Sequence, residues 1–373
     1  MDQPVRKRVV VSAVNIRKGG TLTVLKECLE YLSGRQDLEV IALVHKQALC
    51  DYPGIRYIEM PWTLKSWFHR LWCEYVTMHK VSKEIGDIDL WLSLHDTTPR
   101  VEAKAQAVYC HTSFPFLKVH ARDWQMDPKI PLFACFTRFA YRIGVKRNRY
   151  LIVQQEWFRE GLSRLVGFPE ERIIVAPPQF QPVTAIGTPD QIPLFFYPSS
   201  PDCHKNFETL CMAAELLEKQ LGTGKFQVVL TVKGDENRYA CWLNKQWGSV
   251  SSIDFHGFML KEELASYYGR AACLVFPSRV ETWGLPISEF KPTGRPMILA
   301  DLPYAHESAT EVEQAAFYEV EDYRQLAGMM LQIIQGIFTN FVRLLPLEPH
   351  SPYAASWDDM FDILLDDANS AAR

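Results

Sequence analysis

No stretch of this 373-residue chain approaches the roughly 20 consecutive apolar residues that a bilayer-spanning helix needs. A spanning segment is therefore not expected. Neither sign of charge dominates: 40 Lys and Arg stand against 44 Asp and Glu, and the net charge of −4 argues against a generic nucleic-acid binder. The nine cysteines form no Cys-x-x-Cys pair, and no His/Cys cluster has zinc-ligand spacing. They read as scattered, reduced core thiols of a cytoplasmic protein. A complete G-x-G-x-x-G fingerprint and a Walker A sequence are both absent.

What is present is an ordinary globular composition, with 47% hydrophobic and 23% charged residues, and a length sufficient for two cores. The first residues, MDQPVRKRVVVSAVNI, carry a short basic run but no Ala-x-Ala-like cleavage site, and read as a first strand. Short apolar, β-branched runs alternate with longer amphipathic stretches. RVVVSAV (8–14), LEVIALV (38–44), LWLSLH (90–95), AVYCH (107–111), YLIVQQ (150–155) and RIIVAPP (172–178) are the first series. Continuous apolar strands separated by helices predict an α/β fold whose parallel sheet is covered on both faces. Residues 178–193 hold four prolines and no periodicity, and read as an interdomain linker. A second series follows: LFFYPSS (194–200), FQVVLTVKG (226–234), IDFHG (253–257), ACLVFPS (272–278), PMILA (296–300) and AAFYEV (315–320). The expectation is two Rossmann-like domains facing each other across a cleft, at 1–185 and 190–340. A C-terminal segment, 341–373, is expected to return as a helix toward the first domain. Sheets of this kind take ligands beyond the carboxyl ends of their strands.

The loops at those ends supply the candidates. Lys18, Gly19 and Gly20 follow the first strand, where adjacent glycines let backbone amides approach an anion; an ordinary tight turn is the plain alternative. His111 ends a strand beside Phe114 and could bind a hydroxyl or act as acid or base. His95 and Asp96 end another strand and are expected to shape the acceptor side, with Lys18 and Phe114. In PDCHKNF, Lys205 directly precedes a helix, a place suited to a phosphate. Asp87 and Asp89 make an Asp-x-Asp pair, but they enter a strand rather than close one, so no metal is expected. Two segments mix rings with cations: 60–72, and 117–150 with eight Lys/Arg against two Asp. Either could lie on an anionic membrane surface, which would make the protein peripheral at the inner face of the cell membrane. Both also fit a helix packed on the core with a solvated basic face, and the membrane reading is favoured only for 117–150, on its low acidic content.

At PSRVETWGLPISEFKPTGRPMILADLPYAHE the chain resembles the donor-binding half of the retaining GT-B glycosyltransferases of family GT4, also called glycosyltransferase group 1. The shared pattern is P-S-x-x-E-x-x-G-L-P-x-x-E, with seven residues between its glutamates. The resemblance is specific over about 190–320; IVQQEW, IIVAPP and SPYAASW are looser matches. It implies that Glu281 contacts the transferred sugar or the reacting centre and that Glu289 binds the donor ribose. Thr282, Trp283, Gly284, Leu285, Pro286 and Ile287 would offer amides to the sugar and diphosphate. Lys205 would bind phosphate, Gly19 and Gly20 would close over the donor, His111 would be the active-site histidine, and Glu307 would be structural. Ser200 departs from the pattern, for many members carry an arginine five residues before the lysine.

The implied activity is retaining transfer of a hexose-like sugar, GDP-mannose favoured with UDP- and dTDP-sugars open, to a cell-surface polysaccharide or lipid-linked acceptor. No cofactor beyond the nucleotide-sugar co-substrate, no metal and no nucleic-acid partner are implied. Two alternatives stay open: a sucrose- or trehalose-type synthase or phosphorylase of the same fold, and a catalytically degenerate glycan- or partner-binding protein.

Overall fold

The computed structural model describes residues 6–179, 184–185 and 187–370. Part of the expected linker over 178–193 lies outside these described residues. The chain divides into two compact units. One comprises Met1–Thr112, Phe136–Gln179 and Pro349–Arg373; the other comprises Ser113–Cys135 and Phe180–Glu348.

The first unit holds β1 (Lys7–Ala13), β2 (Leu38–Val44), β3 (Ile55–Glu59), β4 (Leu90–Ser93), β5 (Ala105–Tyr109), β6 (Tyr150–Val153) and β7 (Ile173–Val175). Their order is β3-β2-β1-β4-β5-β6-β7, and every pair is parallel. The continuous apolar run of β1 arises because both faces are covered. Val9, Val11 and Ala13 enter one core cluster, while Val10 enters another with Ile41 and Trp91. β3 is the strand that apolar runs do not reveal, since it forms a sheet edge and no residue in it is fully buried.

The C-terminal helix Trp357–Ser370 packs in the first cluster through Met360, Phe361, Leu364 and Leu365, beside the helix Gly20–Ser33. Tyr31 and Phe361 stack at 5.5 Å, and the Tyr31 hydroxyl donates to Asp358 at 2.6 Å. The opposite edge is blunted: Val175 N donates to Pro352 O and Ala354 N donates to Val175 O, so residues 352–354 cover β7.

The second unit holds β8 (Leu194–Tyr197), β9 (Gln227–Leu230), β10 (Ile253–Phe255), β11 (Cys273–Phe276), β12 (Met297–Ala300) and β13 (Ala315–Tyr318). They run parallel in the order β10-β9-β8-β11-β12-β13. The order reverses between β8 and β11, as it does between β1 and β4 in the first unit. At such a switch point the loops after the two central strands diverge to opposite faces and leave a crevice at the strand ends.

Residues 113–135 fall inside the N-terminal span expected from sequence, yet they cluster with the second unit. Their helix Ala121–Met126 is tied there by ion pairs. Arg279 Nη1 lies 3.1 Å from Asp123 Oδ2, and Nη2 pairs with Oδ1 of the same carboxylate. Arg122 reaches Glu208 at 2.5 Å, and His120 reaches Glu321 at 3.0 Å. All nine cysteines are free thiols, with Cys135 and Cys241 exposed and the others buried. Among the described residues no helix is long and apolar enough to cross a membrane.

Candidate functional site

In the second unit two loops leave the strand ends at the switch point, one after β8 and one after β11. The first tightens into a short 3-10 turn, Cys203–Lys205, and starts the helix Phe207–Leu221. Between them Asn206 adopts φ 58°, a left-handed conformation that asparagine tolerates better than most residues. Its side chain joins the loops: Nδ2 donates to Pro277 O at 3.1 Å and to Val320 O at 2.9 Å, while Oδ1 accepts from Thr209 Oγ1 at 2.8 Å. Tyr197, at the end of β8, donates to Lys205 O at 2.8 Å and lies 2.9 Å from Ser278 Oγ. Arg279 N donates to His204 O at 2.8 Å, and Tyr304 OH donates to Ser278 O at 2.7 Å. The β8 and β11 loops are therefore one hydrogen-bonded assembly.

That assembly brings Lys205 and Glu281 together. Lys205 Nζ donates to Glu281 Oε1 at 2.6 Å, and the two side chains are 15% and 14% exposed. Each is desolvated enough to fix the other and open enough to meet a ligand. Gly284 turns the chain into the helix Leu285–Phe290 with φ 82°. Trp283 is held from both sides, its Nε1 donating to Ser288 Oγ at 2.8 Å and its carbonyl accepting from Ser308. Ile287 is fully buried, so it packs rather than presents a side chain. Glu289, one turn on, accepts from Tyr268 OH at 2.6 Å. Burial pushes the Tyr268 phenol well up, and the Glu289 carboxylate adds to the shift.

Ser200 donates to Asp202 Oδ2 at 2.6 Å. Arg279, the arginine nearest Glu281 in sequence, is turned the other way: besides Asp123 it reaches Cys203 O at 3.1 Å and His120 Nδ1 at 2.9 Å. Its side chain is 6% exposed and that of Asp123 is 1% exposed. Phe114 meets the His204 ring edge to face at 4.9 Å, next to Lys205. Burial, with Lys205 and Arg279 nearby, holds the His204 pKa well below its usual range.

In the first unit the corresponding strand ends carry Lys18, Gly19, Gly20, His95, Asp96 and His111. Gly19 has φ 73° and caps the helix Gly20–Ser33, and a Cβ on either glycine would meet nothing within 4 Å. His95 is fully buried, its Nε2 at 3.0 Å from Ser12 Oγ and its Nδ1 at 2.9 Å from Thr97 Oγ1. Asp96, at φ 67°, accepts from His111 N, Thr112 N, Thr112 Oγ1 and Tyr141 OH at 2.6–3.0 Å. Both of its oxygens are thus committed to fixing the turn that carries His111. The His111 ring stacks on Tyr109 at 4.5 Å, and its Nε2 is buried without a partner. Burial lowers the His111 pKa, which keeps the imidazole neutral near pH ~7.

Asp89 of the Asp-x-Asp pair accepts from Arg8 N at 2.7 Å and from Lys104 Nζ at 2.7 Å. Among the described residues no group of three or more His, Cys, Asp or Glu could share a metal ion. Sequence reasoning passed over Asn206, Tyr197, Ser278 and Tyr268, because each acts through a partner on a different loop or helix. Two carried a local signal: Asn206, an asparagine directly before a helix, and Ser278, the serine of the P-S-x-x-E pattern.

Residues 193–336, which include Lys205, Glu281 and Glu289, match the family model for glycosyl transferases group 1. No curated protein matches the chain in sequence. In structure the chain is similar to sucrose-phosphate synthase from Thermosynechococcus elongatus, with a TM-score of 0.64 at 15% identity over 99% of this chain and 100% of that one. It is also similar to the lipopolysaccharide outer core galactosyltransferase WaaB, with a TM-score of 0.62 at 14% identity over 98% and 99% of the two chains. WaaG, a glycosyltransferase involved in lipopolysaccharide biosynthesis, gives 0.63 at 16% identity over 88% and 90%. Likeness at such identities speaks to the fold. The fold, two Rossmann-like α/β units, is GT-B.

Proposed function

We propose that the chain is a nucleotide-sugar-dependent glycosyltransferase. It moves a hexose-like sugar, with retention, onto a cell-surface polysaccharide or lipid-linked saccharide. The observation that carries this reading is the Lys205–Glu281 pair at the strand ends of a unit matching glycosyl transferases group 1. Cleaving a sugar–phosphate bond leaves an oxocarbenium-like centre and a departing diphosphate, so a site needs a cation for one and an oxygen-rich partner for the other. A diphosphate accepting from Lys205 would release Glu281 to accept from sugar hydroxyls. Glu289, held by Tyr268, would bind the ribose, with Ser200, Thr282 and the 283–287 backbone along the donor.

In the reaction the bond from the anomeric carbon to phosphate oxygen breaks, and the nucleoside diphosphate leaves with the electron pair. The acceptor oxygen bonds to that carbon on the same face and passes its proton to the leaving phosphate. His111, neutral and with Nε2 unpartnered, would hydrogen-bond a sugar hydroxyl. Gly19 and Gly20 would cover the donor, and no metal takes part. GDP-mannose is the favoured donor, with UDP- and dTDP-sugars as the alternatives.

The structural likeness to a sucrose-phosphate synthase supports a second reading, transfer to a small soluble sugar phosphate. Ser200, in place of a cation, supports a third, a degenerate binding protein. The deciding experiment is a thermal-shift screen with GDP, UDP, dTDP and ADP, followed by transfer assays with the matching nucleotide sugar. Stabilisation by one diphosphate, with product formed only on a saccharide or lipid-linked acceptor, is the expected result. Product on a soluble sugar phosphate favours the second reading. A folded protein stabilised by none of the four overturns the transferase reading.

A further inference from the structure

The helix Lys129–Arg142 is apolar on two opposite sides, and only one of them is buried. Ile130, Ala134, Thr137 and Tyr141 face inward, at 8%, 5%, 5% and 4% exposure. Leu132, Phe136, Phe139 and Ile143 recur at the same helical spacing half a turn away, at 46%, 65%, 57% and 51%. A second helix, Trp67–Trp72, buries none of its residues and leaves Trp67, Phe68, Leu71 and Trp72 at 50–67% exposure.

Within the first unit, adjacent residues anchor both helices. Arg70 Nη2 donates to His95 O at 3.1 Å, and Tyr141 OH donates to Asp96 Oδ1 at 2.9 Å. Tyr75, just past Trp72, lies within the electrostatic reach of both Arg70 and Arg147. The shorter helix and the part of the longer one from Phe136 onward are therefore fixed to consecutive residues of one turn in the first unit.

Their charge is one-sided. No Asp or Glu occurs in 60–73 or in 128–150, whereas the chain as a whole carries −4. Arg142, Lys146 and Arg147 are exposed around the end of the longer helix, and Lys65 precedes the shorter one. Rings at the level of lipid headgroups with cations around them are what an anionic bilayer recognises.

We propose that Phe136, Phe139 and Ile143, with Trp67, Phe68, Leu71 and Trp72, dock this unit on an anionic lipid bilayer. Arg142, Lys146 and Arg147 supply the charge attraction. The rings enter the interface and the cations stay in the headgroup layer. This does not rest on the transferase reading, for the binding needs no nucleotide sugar.

The test is co-sedimentation of the full chain with phosphatidylcholine vesicles, with and without phosphatidylglycerol. Binding is expected only with phosphatidylglycerol and is expected to weaken with added salt. Each cation removed among Arg142, Lys146 and Arg147 should lower partitioning about fivefold, and reversal to Glu should lower it further. The double variant Phe136→Ser/Phe139→Ser should lose more than about tenfold. Phe258→Ser/Leu260→Ser, at the 85% and 66% exposed residues of the other unit, should bind as wild type does.

Thermal stabilisation by nucleoside diphosphate should be unchanged in all these variants, which separates failure of this proposal from failure of the transferase reading. Equal binding to neutral vesicles, or ring and charge variants that bind normally, would overturn it. So would a dimer in sedimentation velocity that Phe136→Ser/Phe139→Ser converts to monomer, because a second copy would then cover the face.

Discussion

Lys205 Nζ and Glu281 Oε1 are 2.6 Å apart although 76 residues separate them in the chain, and the hydrogen bonds of Tyr197 and Asn206 hold their loops in that register. In the proposed function this lysine would give a charged hydrogen bond to a phosphate, an interaction of about 1.5–3 kcal/mol. Lys205→Ala should therefore weaken nucleoside diphosphate binding by about 10- to 150-fold, read by isothermal titration. Glu281→Gln should leave that binding within a few fold while transfer collapses, since its proposed partner is the sugar. Equal loss of diphosphate binding in both variants would show that the pair acts only as a structural clamp.

Asp123 and Arg279 form a nearly dry ion pair, 1% and 6% exposed. Removing one partner leaves an uncompensated buried charge, which usually costs about 3–5 kcal/mol. Asp123→Ala should destabilise the protein by that order in urea denaturation and raise amide exchange over 113–135. Arg279→Met combined with Asp123→Ala should recover part of the loss, because neither charge then remains buried. A double-mutant cycle with coupling below about 0.5 kcal/mol would count against this role.

Both sheets were legible in sequence because each central strand is buried on two faces and therefore reads as an unbroken apolar run. Val9 to Val11 and Leu194 to Tyr197 are such runs. β3 escaped because an edge strand buries little. Lys205, Glu281 and Glu289 stood out because loop glycines, a proline and two carboxylates crowd into one short motif. The Lys205–Glu281 contact was not legible, nor were Glu289 with Tyr268, Ser200 with Asp202 and Asp123 with Arg279. In most of these pairs the partners are tens of residues apart, and no local pattern records which loops a switch point brings together. The attachment of 113–135 to the second unit was hidden for the same reason: it depends on two ion pairs and a histidine–carboxylate contact whose other halves, Arg279, Glu208 and Glu321, lie far along the chain.

Acid should destabilise the fold through its histidines. Burial lowers the pKa of His45, His95, His111 and His204 below the ordinary 6.5. Each then binds fewer protons folded than unfolded, so its contribution is present above the unfolded value and is lost as pH falls toward the folded one. Glu27 works in the opposite sense. Burial, with Glu30 beside it, raises its carboxyl to about 7. Its contribution is complete below the ordinary carboxyl range and is lost as pH rises through about 7. Four groups outweigh one, so the urea midpoint should rise between about pH 5 and about pH 7, and Glu27→Gln should steepen the rise. A profile that is flat or falls over this range would contradict the assignment.

Gly284 and Gly20 both begin helices, yet substitution should treat them differently. Gly284 has φ 82°, and a Cβ there would stand 3.3 Å from Ile287 Cδ1 and 3.4 Å from Phe276 Cε1. The left-handed backbone alone costs an L-residue about 1–2 kcal/mol, and at these distances the Ile287 and Phe276 side chains must give way slightly to a methyl group. Gly284→Ala should lower the melting temperature and, by shifting Trp283 and the start of Leu285–Phe290, weaken diphosphate binding. Gly20 has no left-handed φ, and a Cβ would meet nothing within 4 Å, so Gly20→Ala should fold as wild type does. Any loss of transfer in Gly20→Ala with stability intact would then report on the approach of this loop to the donor, because no packing defect is available to explain it. If Gly284→Ala matches wild type in both melting temperature and diphosphate affinity, the turn at Gly284 does not position the donor.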